Sequence, residues 1–209
     1  MQETHGDGYW SAGIRRAGKL QYFAIGHLGP FHSVLTAAIH WFNAQSRLNF
    51  VPARSESAAH VLIEIGDPMV SFEGYPEPPD PLPAIQTRGL TLPSAKRQDK
   101  VKIFLPANPC MSVRKIGARP TGGKVKKYII THELFHAAGL DEHSDASLKD
   151  AFCDGEDLYD QAGDKNAEED SVWLKGTSGG SDGNPRNQIS GLFPLNGNAT
   201  AQRLNAIWP

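Results

Sequence analysis

Residues 124–143 read KVKKYIITHELFHAAGLDEH, and both the fold and the chemistry of this chain turn on them. Lys124 to Ala138 contains no proline and no glycine, while Gly122 and Gly123 stand before the stretch and Gly139 after it, so start and stop signals bracket one predicted helix. His132 and His136 are four residues apart and therefore project from one helical face with their imidazoles close together. That spacing suits zinc, which takes imidazole nitrogen at about 2.0–2.1 Å and in catalytic sites uses three protein ligands and leaves one position for water. Glu133 points about 100° further round the helix, beside such an ion rather than at it, where a carboxylate can take a proton from the bound water. Gly139 can adopt the positive φ that ends a helix and turns the chain back. A third ligand is thereby presented, and the helix is otherwise apolar enough to be buried, where unpaired histidines would be costly.

Outward from this helix, shorter patterns supply a sheet. Gln21 to Ile25 reads as a strand, and Phe31 to Ala44 carries Leu35, Ile39 and Phe42 at helical spacing. Leu48 to Val51 and His60 to Ile65 read as two further strands, the second with Val61, Ile63 and Ile65 alternating against Leu62 and Glu64. Val101, Ile103 and Leu105 alternate again in another strand, after which Pro106 to Gly123 has the composition of a loop. Tyr75 to Pro83 has five prolines in nine residues, which removes too many backbone donors for a sheet interior and predicts a surface loop. The acidic, glycine-rich stretch 144–190 predicts a long and largely irregular insertion, and Asn198 to Trp208 predicts a C-terminal helix. The fold class expected is α+β, in a single domain over residues 1–209.

Composition supports a globular chain. Its 209 residues carry a net charge of −2, with 39% hydrophobic and 21% charged residues, which argues against disorder and against a surface coated for nucleic acid. No apolar run approaches the roughly 20 residues of a membrane span, and MQETHGDGYW has no apolar signal region, so the expectation is a soluble protein of unassigned compartment. The average hides two opposed blocks: Arg88 to Lys127 has eleven Lys/Arg against Asp99 alone, while Asp141 to Asp170 has twelve Asp/Glu against Lys149 and Lys165. The first would suit an anionic partner; charge runs more often mark solvated faces. Within the second, Asp154, Glu156, Asp157, Asp160 and Asp164 have the ligand chemistry for calcium but not EF-hand spacing. Cys110 and Cys153 admit one disulfide or two free thiols. His5, His27, His32, His40 and His60 have no ligand-like partner at readable spacing.

The run HELFHAAGLDEH resembles the signature of metzincin zinc endopeptidases, most nearly the matrixin-like members, HExxHxxGxxH followed by a methionine turn. Element order is similar over roughly residues 20–209. The resemblance implies a twisted mixed sheet above a long zinc-binding helix, a zinc ion held by His132, His136 and a third ligand, Glu133 as general base, and a polypeptide substrate; a monomer is favoured, with the oligomeric state left open. Two departures mark this sequence. Three residues rather than two separate Gly139 from His143, so the strict motif position holds Glu142; His143 is preferred because imidazole suits zinc better, with Glu142 the alternative. The methionines are Met1, Met69 and Met111, all upstream, so Leu192 in Gly191–Pro194 stands where the methionine turn would be. The resemblance further implies that the strand Val101 to Leu105 is the sheet edge along which an extended peptide pairs, that Phe193 to Leu195 line the primed-side pocket with residues 144–190 as its rim, and that Tyr159 is a candidate oxyanion donor. Two other readings keep the metal: a zinc amidase acting on a small or cell-wall amide, and a non-catalytic module that binds an anionic partner.

Overall fold

The computed structural model describes residues 9–66, 89–113, 117–120, 123–140, 158–159, 173–174 and 199–209. Within them the chain is mixed α/β, built on a five-stranded, mostly parallel sheet. In chain order come helix α1 (Ala12–Ala17), strand β1 (Lys19–Ala24), a 3-10 turn (Gly29–Phe31) leading into helix α2 (His32–Gln45), and strands β2 (Asn49–Pro52), β3 (Val61–Ile65), β4 (Leu90–Pro93) and β5 (Val101–Leu105). Strands β6 (Cys110–Val113) and β7 (Gly117–Pro120), helix α3 (Gly123–Ala137), strands β8 (Leu158–Tyr159) and β9 (Trp173–Leu174), and helix α4 (Ala199–Ile207) follow.

The sheet order is β2-β1-β3-β5-β4, parallel throughout except for β4, which runs antiparallel to β5 at the edge. This corrects the expectation that Val101–Leu105 is the edge. That strand is flanked by β3 on one side and β4 on the other, so its backbone groups are paired on both sides, and among the described residues the outermost strands are β2 and β4 (Leu90–Pro93). The short strand was hidden because Leu90 and Leu92 are too few alternating residues to stand out beside a proline-rich stretch. A second correction concerns Pro106 to Gly123, expected as loop, where β6 and β7 form an antiparallel pair from Cys110↔Pro120 to Val113↔Gly117. Within the stretch expected to be irregular, Leu158 and Tyr159 pair with Leu174 and Trp173. The proline-rich loop 75–83 and the remainder of 144–190 lie outside the described residues.

Val61, Ile63, Val101, Ile103 and Leu105 line the face of the sheet that meets the core, with α2 and α3 packed against each other there. The alternation is incomplete, because Leu62 and Phe104 are buried as well on the opposite face. Phe42 of α2 meets Phe50 of β2 and Phe135 of α3 edge-on, at centroid distances of 5.0 and 4.9 Å, which ties three elements at one aromatic junction. Around α3, Ile129, Ile130, Leu134, Phe135, Ala137 and Ala138 are all buried, as expected of a helix enclosed on nearly every side. Among the described residues no helix is long and apolar enough to cross a membrane.

The basic block is partly consumed by this architecture. Lys102 pairs with Glu64 at 2.8 Å and lies over the Phe104 ring, and the Lys100 ammonium donates to the carbonyls of Ser57 and Ala59. Nearby, the Gln21 N–H donates to His60 Nδ1 at 3.0 Å, which requires that nitrogen unprotonated. Burial, reinforced by Lys100 and opposed by Asp99, lowers the pKa of His60 below its ordinary 6.5. The unfolded chain therefore takes the proton first, so this contact's stability is complete above about pH 6.5 and is lost as pH falls below it. Urea midpoints at pH 7.5 and 5.5 should differ less in His60→Asn, whose amide oxygen accepts without titrating, than in the wild type; equal pH dependence would remove His60 from the account.

Candidate metal centre

The site is built on the last turns of α3. His132 and His136 lie with ring centroids 4.6 Å apart and Nε2 atoms 2.9 Å apart. His136 is nearly buried, and its Nδ1 sits 2.6 Å from the Leu140 carbonyl. A carbonyl only accepts, so Nδ1 carries the proton and the lone pair of the neutral ring is on Nε2, facing His132. The backbone thus sets the tautomer that a metal needs, an outer contact typical of metal-binding imidazoles.

Leu140 is in place because of how the helix ends. Gly139 has φ 103°, a conformation that favours glycine, and it lets the Leu140 N–H return to the Phe135 carbonyl at 3.1 Å while the Gly139 N–H bonds the His136 carbonyl at 2.9 Å. The next two carbonyls are taken by indoles from the two ends of the described chain: Trp10 Nε1 donates to Ala137 O and Trp208 Nε1 to Ala138 O, each at 2.9 Å. All four carbonyls that a helix C-terminus ordinarily leaves open are satisfied without water, so the terminal histidine sits on a rigid base.

Glu133 is only 3% exposed and faces β4. The Thr91 hydroxyl donates to its Oε2 at 2.5 Å, and the Gly89 N–H donates to the same carboxyl group. Thr91 is paired with Ile103, a core residue, so it and Gly89 two positions earlier lie on the side of the strand toward α3. At Gly89 a Cβ would come within 2.7 Å of Glu133 Cγ and 2.9 Å of Cδ and Oε1. Burial pushes the Glu133 carboxyl up to about 7, against the opposing effect of the two hydrogen bonds. Gly89 and Thr91 are the site residues that sequence reasoning missed. Their signal was present as the alternation in Gly89-Leu90-Thr91-Leu92, a strand with apolar residues on one face and glycine with threonine on the other.

Two zinc–imidazole bonds of about 2.0–2.1 Å at a tetrahedral angle set their nitrogens about 3.3 Å apart, so the pair at 2.9 Å needs only a slight opening to fit that ion. Among the described residues no cluster of three or more His, Cys, Asp or Glu side chains is gathered tightly enough to hold a metal. His143, Glu142 and Leu192 lie outside the described residues, as do Cys153, His5, the acidic cluster 154–157, Asp160 and Asp164, and Phe193 to Leu195. The other histidines are elsewhere: His27 and His32 stack on each other with centroids 4.8 Å apart, and His40 is exposed on α2. No protein-family model matches this chain, and no curated protein matches it.

Proposed function

We propose that the protein is a zinc-dependent endopeptidase of metzincin-like, matrixin-like type. The observation that carries this reading is the pair of Nε2 atoms 2.9 Å apart on α3, one with its tautomer set by the Leu140 carbonyl, one residue from a buried carboxyl whose pKa is about 7. His132, His136 and His143, with Glu142 as the alternative third ligand, would hold the ion. When bound, zinc supplies a polarised scissile carbonyl and a water of lowered pKa. Glu133 would act as the general base, taking one proton on a carboxylate oxygen and returning it to the leaving amine, a role suited to a group that burial pushes up to about 7.

The surrounding architecture supports the same reading. A mixed sheet lies against the helix, the HExxHxxG run ends in a glycine at positive φ, and a C-terminal helix follows. The position of β4 outermost among the described strands suits an extended polypeptide, which would add main-chain hydrogen bonds there with little regard for sequence. On this reading Leu192 would be the apolar stand-in for the methionine turn and the acidic stretch 144–190 would rim the cleft.

Protein purified from zinc-replete medium should carry one zinc ion per chain and cleave unfolded casein, with cleavage lost on chelation and restored by zinc. His143→Ala should lose the metal while Glu142→Ala keeps it; the reverse pattern assigns Glu142. Wild-type protein that binds no zinc overturns the reading, and zinc-loaded protein that cleaves small amides but no polypeptide replaces it with the amidase.

A further inference from the structure

We propose that Thr91 is a positioning residue whose hydroxyl fixes the Glu133 carboxylate, linking strand β4 to the group that accepts the proton. The inference rests on the reading of Glu133 as general base. Its own observation is geometric: two donors two residues apart, one in β4 and one in the residue that leads into it, hold a single buried carboxylate.

A glutamate reaches its carboxylate through three rotatable bonds, so a base carried on a helix needs external contacts to stay in one orientation. The Thr91 hydroxyl supplies one on Oε2, and its only proton goes to this 2.5 Å contact rather than to the Glu133 carbonyl 3.2 Å away. The Gly89 N–H supplies the second, with the space at residue 89 occupied by the Glu133 side chain itself. One accepted bond leaves Oε2 a further lone pair, so the clamp orients the carboxylate without exhausting it. A strand favours β-branched residues, and valine would fill the position of Thr91 equally well. Only the need to satisfy Oε2 distinguishes the hydroxyl. Because Thr91 faces α3, it has no place in the recognition of substrate side chains.

In zinc-loaded enzyme, Thr91→Val should lower kcat by about 10- to 100-fold with KM within about threefold and zinc content unchanged, as expected when a reacting group loses its orientation. Thr91→Ser should recover kcat to within about threefold of wild type. Thr91→Val with unaltered kcat, or Thr91→Ser as impaired as Thr91→Val, overturns the proposal. A cycle on metal-free protein tests the contact independently of hydrolysis. Thr91→Val should lower the thermal midpoint by about 3 °C or more in the wild type and by less than half as much in the Glu133→Ala background; equal shifts in the two backgrounds overturn the proposal. Should Thr91→Val not fold, Thr91→Ala serves in both comparisons. Wild-type protein without proteolysis defeats the endopeptidase reading instead, a result distinguishable from unequal or equal shifts in the cycle.

Discussion

Glu133→Gln should reduce peptide hydrolysis by about 10²- to 10⁴-fold while the protein stays folded and keeps its zinc, the range typical of losing a general base. Glutamine preserves the shape of the side chain, and its amide oxygen can still accept the Thr91 hydroxyl, so the substitution removes basicity at the cost of the one acceptor that faced the Gly89 N–H. The histidines that would hold the metal do not depend on the carboxylate, since His136 is oriented by Leu140 O and lies against His132. Stability should move the other way. Burial raises the carboxyl from 4.5 to about 7 in the folded chain, so the metal-free folded state holds a proton that the unfolded chain has already released. Its contribution is complete below about pH 4.5 and is lost as pH rises through about 7, a span worth on the order of 3 kcal/mol. Metal-free Glu133→Gln, which cannot titrate, should lack that loss and be the more stable protein at pH 8. Kinetics on a fluorogenic peptide, zinc per chain and urea midpoints at pH 5 and 8 measure all three effects. Hydrolysis within tenfold of wild type would remove Glu133 from the role of base.

Gly89→Ala should reduce hydrolysis by about 100-fold and stability by about 1–3 kcal/mol. The added Cβ would lie 2.7 Å from Glu133 Cγ and 2.9 Å from Cδ, and these atoms belong to a stem enclosed between α3 and β4 rather than to a free tip. Either the carboxylate withdraws from its donors or the edge strand moves away from the helix. Both results spoil the alignment of the base, and neither disturbs the pair of Nε2 atoms. Zinc content should therefore stay at the wild-type value while kcat falls. In the Glu133→Ala background the conflicting atoms are gone, so the stability loss from Gly89→Ala should largely disappear. An alanine at residue 89 that leaves both kcat and the unfolding midpoint unaltered would show that the close approach is not required.

Much of the fold was legible because its signals are local. Strand β5 follows the alternation of Val101, Ile103 and Leu105, α2 follows the spacing of Leu35, Ile39 and Phe42, and α3 lies between its glycines within a residue of the expected limits. The elements missed were those whose patterns are short or interrupted. Helix α1 is one and a half turns with Ser11 as its cap, β4 has four residues ending in proline, and β6 and β7 sit in a stretch that proline and glycine mark as loop. Such segments gain their order from pairing with a neighbour, and a neighbour's identity is not written in the segment itself.

The amino-acid sequence by itself determined which side chains share a helical face and where that helix must stop: His132 and His136 meet because 3.6 residues make a turn, and Gly139 turns the chain because it has no Cβ. The tertiary structure alone decided what holds them. The indoles that finish the helix come from 127 and 70 residues away along the chain, and the hydroxyl on the base comes from 42 residues away. Helical periodicity is a property of consecutive residues, whereas the satisfaction of a buried carbonyl or carboxylate depends on which distant donor the packing of sheet on helix delivers to it.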